Sequence, residues 1–305
     1  MIRRTLRSEG GFVLIVTLMV TALLVAVIVE FAYRSYLSTA RADNFSGSAR
    51  AALLAANGVE VASSAMREML KKTPHIRMAD GGLDFSRTEG DYTINIRVED
   101  ELARLSTEVV YTKTGVVVEP AWSTYVRLVE ALELDTNIVE TLADWIDADS
   151  EPRSYGAESL DHYSALPRPY KSADAPLASV EELMMVKGYT PEVFRLLKPY
   201  VTVYNSKRRV NINTAPRAVL KSLSEEMTEE MVESIIEYRM AEPFRRTSDI
   251  MGVPGFETVG IELQDRVAVK SDLFRVISRA TAGEAVREVE AVVRAGGDIL
   301  YWRHR

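Results

Sequence analysis

The sequence predicts an α+β fold: a long N-terminal helix packed on an antiparallel sheet, with a large all-α block inserted before the sheet's last strands. Three observations carry this prediction. An uncharged run starts at Phe12 and passes into an amphipathic helical pattern. Alternation of apolar and polar residues, the mark of a half-buried strand, appears near residue 91 and again beyond residue 271. Between those stretches the apolar spacing is helical.

The chain of 305 residues is long enough for two domains. Apolar residues make up 47% and charged residues 27%, as in an ordinary globular protein. A net charge of −7 gives the chain no basic footprint for nucleic acid. There are no cysteines, which excludes disulfides, thiolate metal sites and cysteine nucleophiles. Three widely spaced histidines, His75, His162 and His304, argue against a histidine-rich zinc site.

The first element is the N-terminal helix. Phe12 to Val29 carries no charge, and eighteen helical residues span roughly 27 Å, close to a bilayer core. Arg3, Arg4 and Arg7 precede it, which keeps the start in the cytoplasm and sends the rest across the membrane. Three readings compete. A cleaved secretory signal wants a shorter apolar core followed by a small-residue site. A plain signal anchor needs only the span. The third reading uses Gly10-Gly11-Phe12. A basic leader ending in Gly directly before Phe and a long apolar helix resembles the type IV prepilin processing site. That resemblance implies cleavage after Gly11 by a prepilin peptidase, N-methylation of Phe12, and a helix that becomes the core of a filament.

One residue departs from the pilin pattern. Pilins usually carry a glutamate at the fifth mature position, where this chain has Val16. A carboxylate in a membrane helix is costly unless paired, and the resemblance implies pairing with the N-terminus of a neighbouring subunit. A subunit with no neighbour above it gains nothing from that charge, so Val16 fits a filament tip.

The helix continues past the membrane on a stripe of Phe45, Ala49, Ala52, Leu53, Ala56, Val59, Ala62, Met66, Met69 and Leu70. Asp80-Gly81-Gly82 reads as a loop. Strands are expected at 91–98, 102–110 and 114–118, then at 273–279 and after Val286, the last two joined by a hairpin at Thr281-Ala-Gly283-Glu. The organisation predicted is a leader at 1–11, a transmembrane and filament-core helix at 12–36, a first sheet portion at 37–118, an all-α insert at 119–270 and final strands at 271–305.

The insert contains a repeat. Glu182-Leu-Met-Met-Val186-Lys-Gly188-Tyr189 matches Asp249-Ile-Met-Gly-Val253-Pro-Gly255-Phe256. Ser179 and Glu182 have capping-box spacing, Gly188 suits a left-handed position after a helix, and Thr190-Pro191 suits the cap and first position of the next. This is a helix-hairpin-helix or SAM-like pattern.

Several motifs then converge. Leu142-Ala-Asp144-Trp145-Ile146-Asp147-Ala-Asp149, Gly156-Ala-Glu158, Leu177-Ala-Ser-Val-Glu-Glu-Leu, Leu197-Lys-Pro-Tyr200 and Val210-Asn-Ile-Asn-Thr-Ala215 resemble the K-type minor pseudopilin family of type II secretion, whose fold is type IV pilin-like. Ala103 to Glu108 departs most from the family. The resemblance implies a subunit at the tip of a periplasmic pseudopilus, partnered by I- and J-type minor pseudopilins. It implies contact with the inner-membrane secretion platform and with secreted substrates, and a role in priming assembly.

Asp144, Asp147, Asp149, Glu151, Glu158 and Asp161 fall within eighteen residues. Carboxylates this dense are either exposed in a solvated loop or bridged by a hard cation. The run is not an EF-hand, because Pro152 stands where that loop requires Gly. Some K-type relatives bind calcium in the helical domain, so the resemblance implies calcium here, with Asp147, Asp149 and Glu158 as ligands and Asp144 pairing locally.

The repeat also raises a membrane-anchored DNA-binding or uptake protein as an alternative. DNA-binding hairpins carry Gly-x-Gly so that backbone amides approach phosphates; here the second position is Thr190 or Glu257. From Leu177 to Lys270 thirteen basic residues face fourteen acidic ones, which argues against nucleic acid. No phosphate loop, nucleophile elbow or zincin helix is present, so the sequence reads as a non-enzyme.

Overall fold

A computed structural model describes residues 9–78, 81–159 and 162–305. The leader arginines, Asp80 and Asp161 lie outside the described residues.

Helix α1 runs from Glu9 to Lys72. Its apolar first part is exposed on every side. Thr17 and Thr21 return their hydroxyls to the carbonyls of Val13, Leu14 and Leu18, so neither leaves an unpaired donor in an apolar medium. Further along, the buried face is Ala51, Ala55, Val59, Ala62 and Met66. This corrects the expected stripe: Phe45 and Leu53 are exposed at 78% and 63%. Small side chains face the sheet because the helix approaches it closely; a Cβ on Gly58 would stand 2.2 Å from Ser278 Oγ.

The sheet opens with β1 (Gly82–Glu89) and β2 (Tyr92–Asp100). The chain then leaves it for helices α2 (Ala121–Ala131), α3 (Ile138–Ile146), α4 (Pro191–Leu197), α5 (Arg217–Ser222), α6 (Glu229–Ala241) and α7 (Val259–Leu263). Two-residue strands brace this insert: β3 (Leu105–Ser106) pairs with β4 (Val201–Thr202), and β5 (Val210–Asn211) with β6 (Val267–Ala268). The chain returns in β7 (Leu273–Ala282), β8 (Ala285–Arg294) and β9 (Ile299–His304). The antiparallel order is β1-β2-β7-β8-β9, and the β7–β8 turn places Gly283 at φ +59°.

Segments 102–110 and 114–118 are not strands of this sheet. They contribute β3 and an isolated Val110–Val117 bridge, and Leu105, Val109 and Val110 are buried in the insert's core. The sheet's first portion therefore ends at Asp100 rather than 118. The sheet's remaining two strands are β1 and β9, both largely exposed edge strands. Edge strands carry little of the alternation that betrays a buried face.

The direction of α1 orients the sheet. Gly47 approaches Ala282, Gly58 approaches Ser278, and Arg67 Nε donates to the Ala295 carbonyl. Asp100 pairs with Phe274 and Leu273 with Arg294. Moving away from the apolar span, α1 thus passes the β7–β8 turn first and the Asp100/Leu273 end last. The insert leaves and rejoins the sheet at the end farthest from the span.

Candidate metal centre and insert junction

Gly11 and Phe12 lie in the first turns of α1, and Phe12 is exposed. Val16 lies on the same exposed segment, so the described span carries no carboxylate where pilins place one.

The acidic run folds around the C-terminus of α3. Asp144 is buried and wholly engaged: it accepts from the backbone amides of Arg153 and Ala157, each at 3.0 Å, and from the Arg153 guanidinium. Gly156 is required beside it, because a Cβ there would lie 1.7 Å from Asp144 Oδ2. Asp144 is therefore the scaffold of the loop, as expected of a local pairing role. Arg153 Nη1 also donates to Asp147 Oδ2 at 2.6 Å, and Nη2 donates to the Gly115 carbonyl at 2.6 Å. Glu151 is exposed; its amide donates to Asp149 Oδ1.

The remaining oxygens define the site. One oxygen each from Asp147, Asp149 and Glu158 lie within 4.8 Å of one another. Asp147 and Glu158 are 0% and 2% exposed, yet Asp147 Oδ1 and Glu158 Oε1 have no hydrogen-bond partner among the described residues. A buried unpaired carboxylate oxygen is costly, and two such residues clustered with a third carboxylate fit the oxygen shell of a hard cation. Burial, then repulsion from Asp144, pushes the Glu158 carboxyl up to about 7. Burial also raises Asp147, against the pull of Arg153. The three residues singled out in the sequence are brought together. Arg153 and Gly115 were missed; Arg153 was legible as the one basic residue in the acidic run, whereas Gly115 arrives from a segment with no such signal.

The second constellation is the junction between insert and sheet. Asp100, the last residue of β2, accepts from the Leu102 amide at 2.9 Å and from Asn211 Nδ2 and Thr214 Oγ1 at 2.6 Å each. Asn213 bonds both the amide and the carbonyl of Phe244 and the Val269 carbonyl. The Asn211-Ile-Asn-Thr motif is thus the polar latch of the insert. Beside it, buried Glu101 meets Arg275 of β7, which also pairs Glu290 of β8. Arg77 Nη1, downstream of α1, donates to the Met240 carbonyl at the end of α6 at 2.6 Å.

The repeat adopts one local form twice. Gly188 and Gly255 take φ +86° and +88°, and Thr190 caps α4 with Pro191 at its first turn. Ser179 does not cap by its side chain. Glu182 instead accepts from the Ala178 amide and from Trp145 Nε1, while Asp249 accepts from the Arg245 and Arg246 amides. Gly255 N–H, an amide that a phosphate would need, points to the Glu257 carboxylate at 3.4 Å.

A long apolar helix running onto an antiparallel sheet, with a helical insert at the sheet's far end, defines a pilin-like subunit of the pseudopilin class. Comparison with known proteins gives the particular family. Two family models, both described as type II secretion system (T2SS), protein K, match residues 102–206 and 210–270. The type II secretion system protein K of Pseudomonas aeruginosa is 26% identical over 310 residues, covering 96% of this chain and 90% of that relative. That of Pectobacterium carotovorum subsp. carotovorum is 34% identical over 118 residues, covering 37% and 36% respectively. The solved GspK-GspI-GspJ complex from the enterotoxigenic Escherichia coli type 2 secretion system contains a chain of the same fold, with a TM-score of 0.69 at 20% identity, covering 90% of this chain and 99% of that one. The chain belongs to the type II secretion system protein K family and is a minor pseudopilin of that system. The DNA-uptake alternative is not favoured.

Proposed function

We propose that this minor pseudopilin caps the tip of the pseudopilus in complex with I- and J-type minor pseudopilins, primes assembly, and supports export of folded proteins across the outer membrane. One observation carries the reading: the insert departs and returns at the end of the sheet farthest from the span, where its bulk would obstruct a subunit stacked above. Val16 supports the same conclusion from the other end of α1. The N-terminus is read as cytoplasmic, the span as initially inserted in the inner membrane, and the bulk as periplasmic. The prepilin peptidase would cut after Gly11 and methylate Phe12. The inner-membrane platform and secreted substrates are the further contacts, and the role is structural rather than catalytic.

Within the insert, Asp147, Asp149 and Glu158 would hold a calcium ion, whose charge would bind the loop after α3 to the rest of the fold. The unpartnered Asp147 Oδ1 and Glu158 Oε1 support this assignment.

Gold labelling of an epitope in the insert on isolated pseudopili tests the tip position. Label confined to one end is expected; label along the shaft would overturn the proposal. Mass spectrometry of the mature chain is expected to find methylated Phe12, and an intact Met1 in a host with active peptidase would remove the processing assignment.

A further inference from the structure

The acidic site contains its own cation. Three carboxylates, Asp147, Asp149 and Glu158, bring oxygens within 4.8 Å of one another, and Asp144 adjoins them through the Arg153 guanidinium, whose side chain is 22% exposed. Arg153 ties Asp144 to Asp147 through Nη1 and reaches the Gly115 carbonyl through Nη2. It occupies one oxygen of Asp147 and leaves the other, Oδ1, without a partner among the described residues, like Glu158 Oε1. Asp147 therefore offers an ion one oxygen that the arginine does not hold. With Asp144, Asp147, Asp149 and Glu158 all ionised, the group carries four negative charges without Arg153 and three with it. The arginine thus offsets part of the mutual repulsion when no ion is bound, and it repels an ion that enters.

We infer that Arg153 is the affinity-setting counter-cation of this site: it keeps the loop after α3 folded in the ion-free protein and, by the same charge, weakens binding of a divalent ion. This rests on the calcium assignment to Asp147, Asp149 and Glu158. The two effects act together on any measured response to calcium. Removing the arginine destabilises the ion-free form and makes the site more negative, so calcium should bind more tightly and stabilise more. Ligand charge count tunes calcium affinity over several orders of magnitude in protein sites, which sets the direction and the scale. A residue needed only for structure behaves in the opposite way, because a loosened site binds its ion less well.

The test compares the full-length, detergent-solubilised chain with Arg153→Gln and Arg153→Lys, each purified in calcium and then stripped with chelator. Calcium binding is measured by isothermal titration, and melting is followed with and without the ion. Arg153→Gln is expected to melt lower without calcium, to recover most of the difference when saturated, and to bind calcium about tenfold more tightly. Arg153→Lys, which keeps the charge, is expected to stay near the parent in affinity. Weaker or unchanged calcium binding by Arg153→Gln would overturn the inference, as would failure of that variant to fold at saturating calcium while Arg153→Lys folds. Absence of any calcium response in all three proteins would instead remove the metal assignment itself, and the inference with it.

Discussion

Arg275 grips Glu101 with both prongs of its guanidinium, Nε to Oε2 at 2.9 Å and Nη2 to Oε1 at 2.7 Å, across the boundary between sheet and insert. Both side chains are buried. Thr202 Oγ1 and Arg104 complete the shell of Glu101, and Glu290 receives the remaining nitrogen of Arg275. Burial opposes ionisation of Glu101, but Arg104 and Arg275 outweigh it and hold the carboxyl below its usual range. The pair fixes how the insert sits on the sheet.

Breaking that pair strips the buried Arg275 of one of its two carboxylate partners and leaves Glu290 as the other. Glu101→Gln is expected to cost about 3–5 kcal/mol of stability, measured by denaturant unfolding. Replacing Glu101 and Arg275 together by apolar residues should recover part of the loss. Additive losses in the double variant would show that the two side chains act separately.

Gly58 sets the distance between α1 and the sheet. A Cβ there would lie 2.2 Å from Ser278 Oγ and 2.8 Å from Ile94 Cδ1. Gly58→Ala gains roughly 1 kcal/mol of helix propensity, yet overpacking should dominate and destabilise by about 1–3 kcal/mol. Ser278→Ala should partly rescue it by removing the nearer atom, a hydroxyl that is itself buried without a partner among the described residues. A Gly58→Ala protein more stable than the parent would contradict this packing.

The Glu158 carboxyl gives the metal-free protein a pH dependence. Its folded value of about 7 stands above the ordinary 4.5, so the folded state holds this proton more tightly than the unfolded chain. The resulting stability is complete below pH 4.5 and lost as pH rises through 7, with an upper limit on the order of 3 kcal/mol. In chelator, this group makes the protein less stable at pH 8 than at pH 6, and Glu158→Gln should flatten that slope. Melting temperatures that climb between these pH values equally in parent and variant would contradict the assignment.

Calcium should reverse that penalty. At a hundred times its dissociation constant a bound ion adds about 2.7 kcal/mol, seen as a rise in melting temperature of several degrees over chelator. Asp147→Asn and Glu158→Gln should abolish the rise, and Glu158→Gln should also stabilise the ion-free chain, since it removes a buried charge with no ion-pair partner among the described residues. An undiminished rise in both variants would place the ion elsewhere.

Much of this architecture was legible in the sequence for identifiable reasons. The span from Phe12, the β7–β8 hairpin, helices α3 and α6, and the clustering of Asp147, Asp149 and Glu158 all follow from local patterns. The edge strands β1 and β9 escaped because one face meets solvent and the alternation is weak. Segment 102–118 misled because Leu105, Val109 and Val110 are apolar residues in a short run that reads as strand but are buried in the insert's core. The latch formed by Asp100 with Asn211 and Thr214 joins residues more than a hundred positions apart, and no local pattern reports such a contact.

The most direct test of the central claim is co-purification. The full-length chain is expressed with its I- and J-type minor pseudopilins, extracted in detergent and passed over a sizing column. A stable complex containing one copy of each is predicted. A chain that elutes alone in every combination, while the other two associate, would contradict its place at the tip.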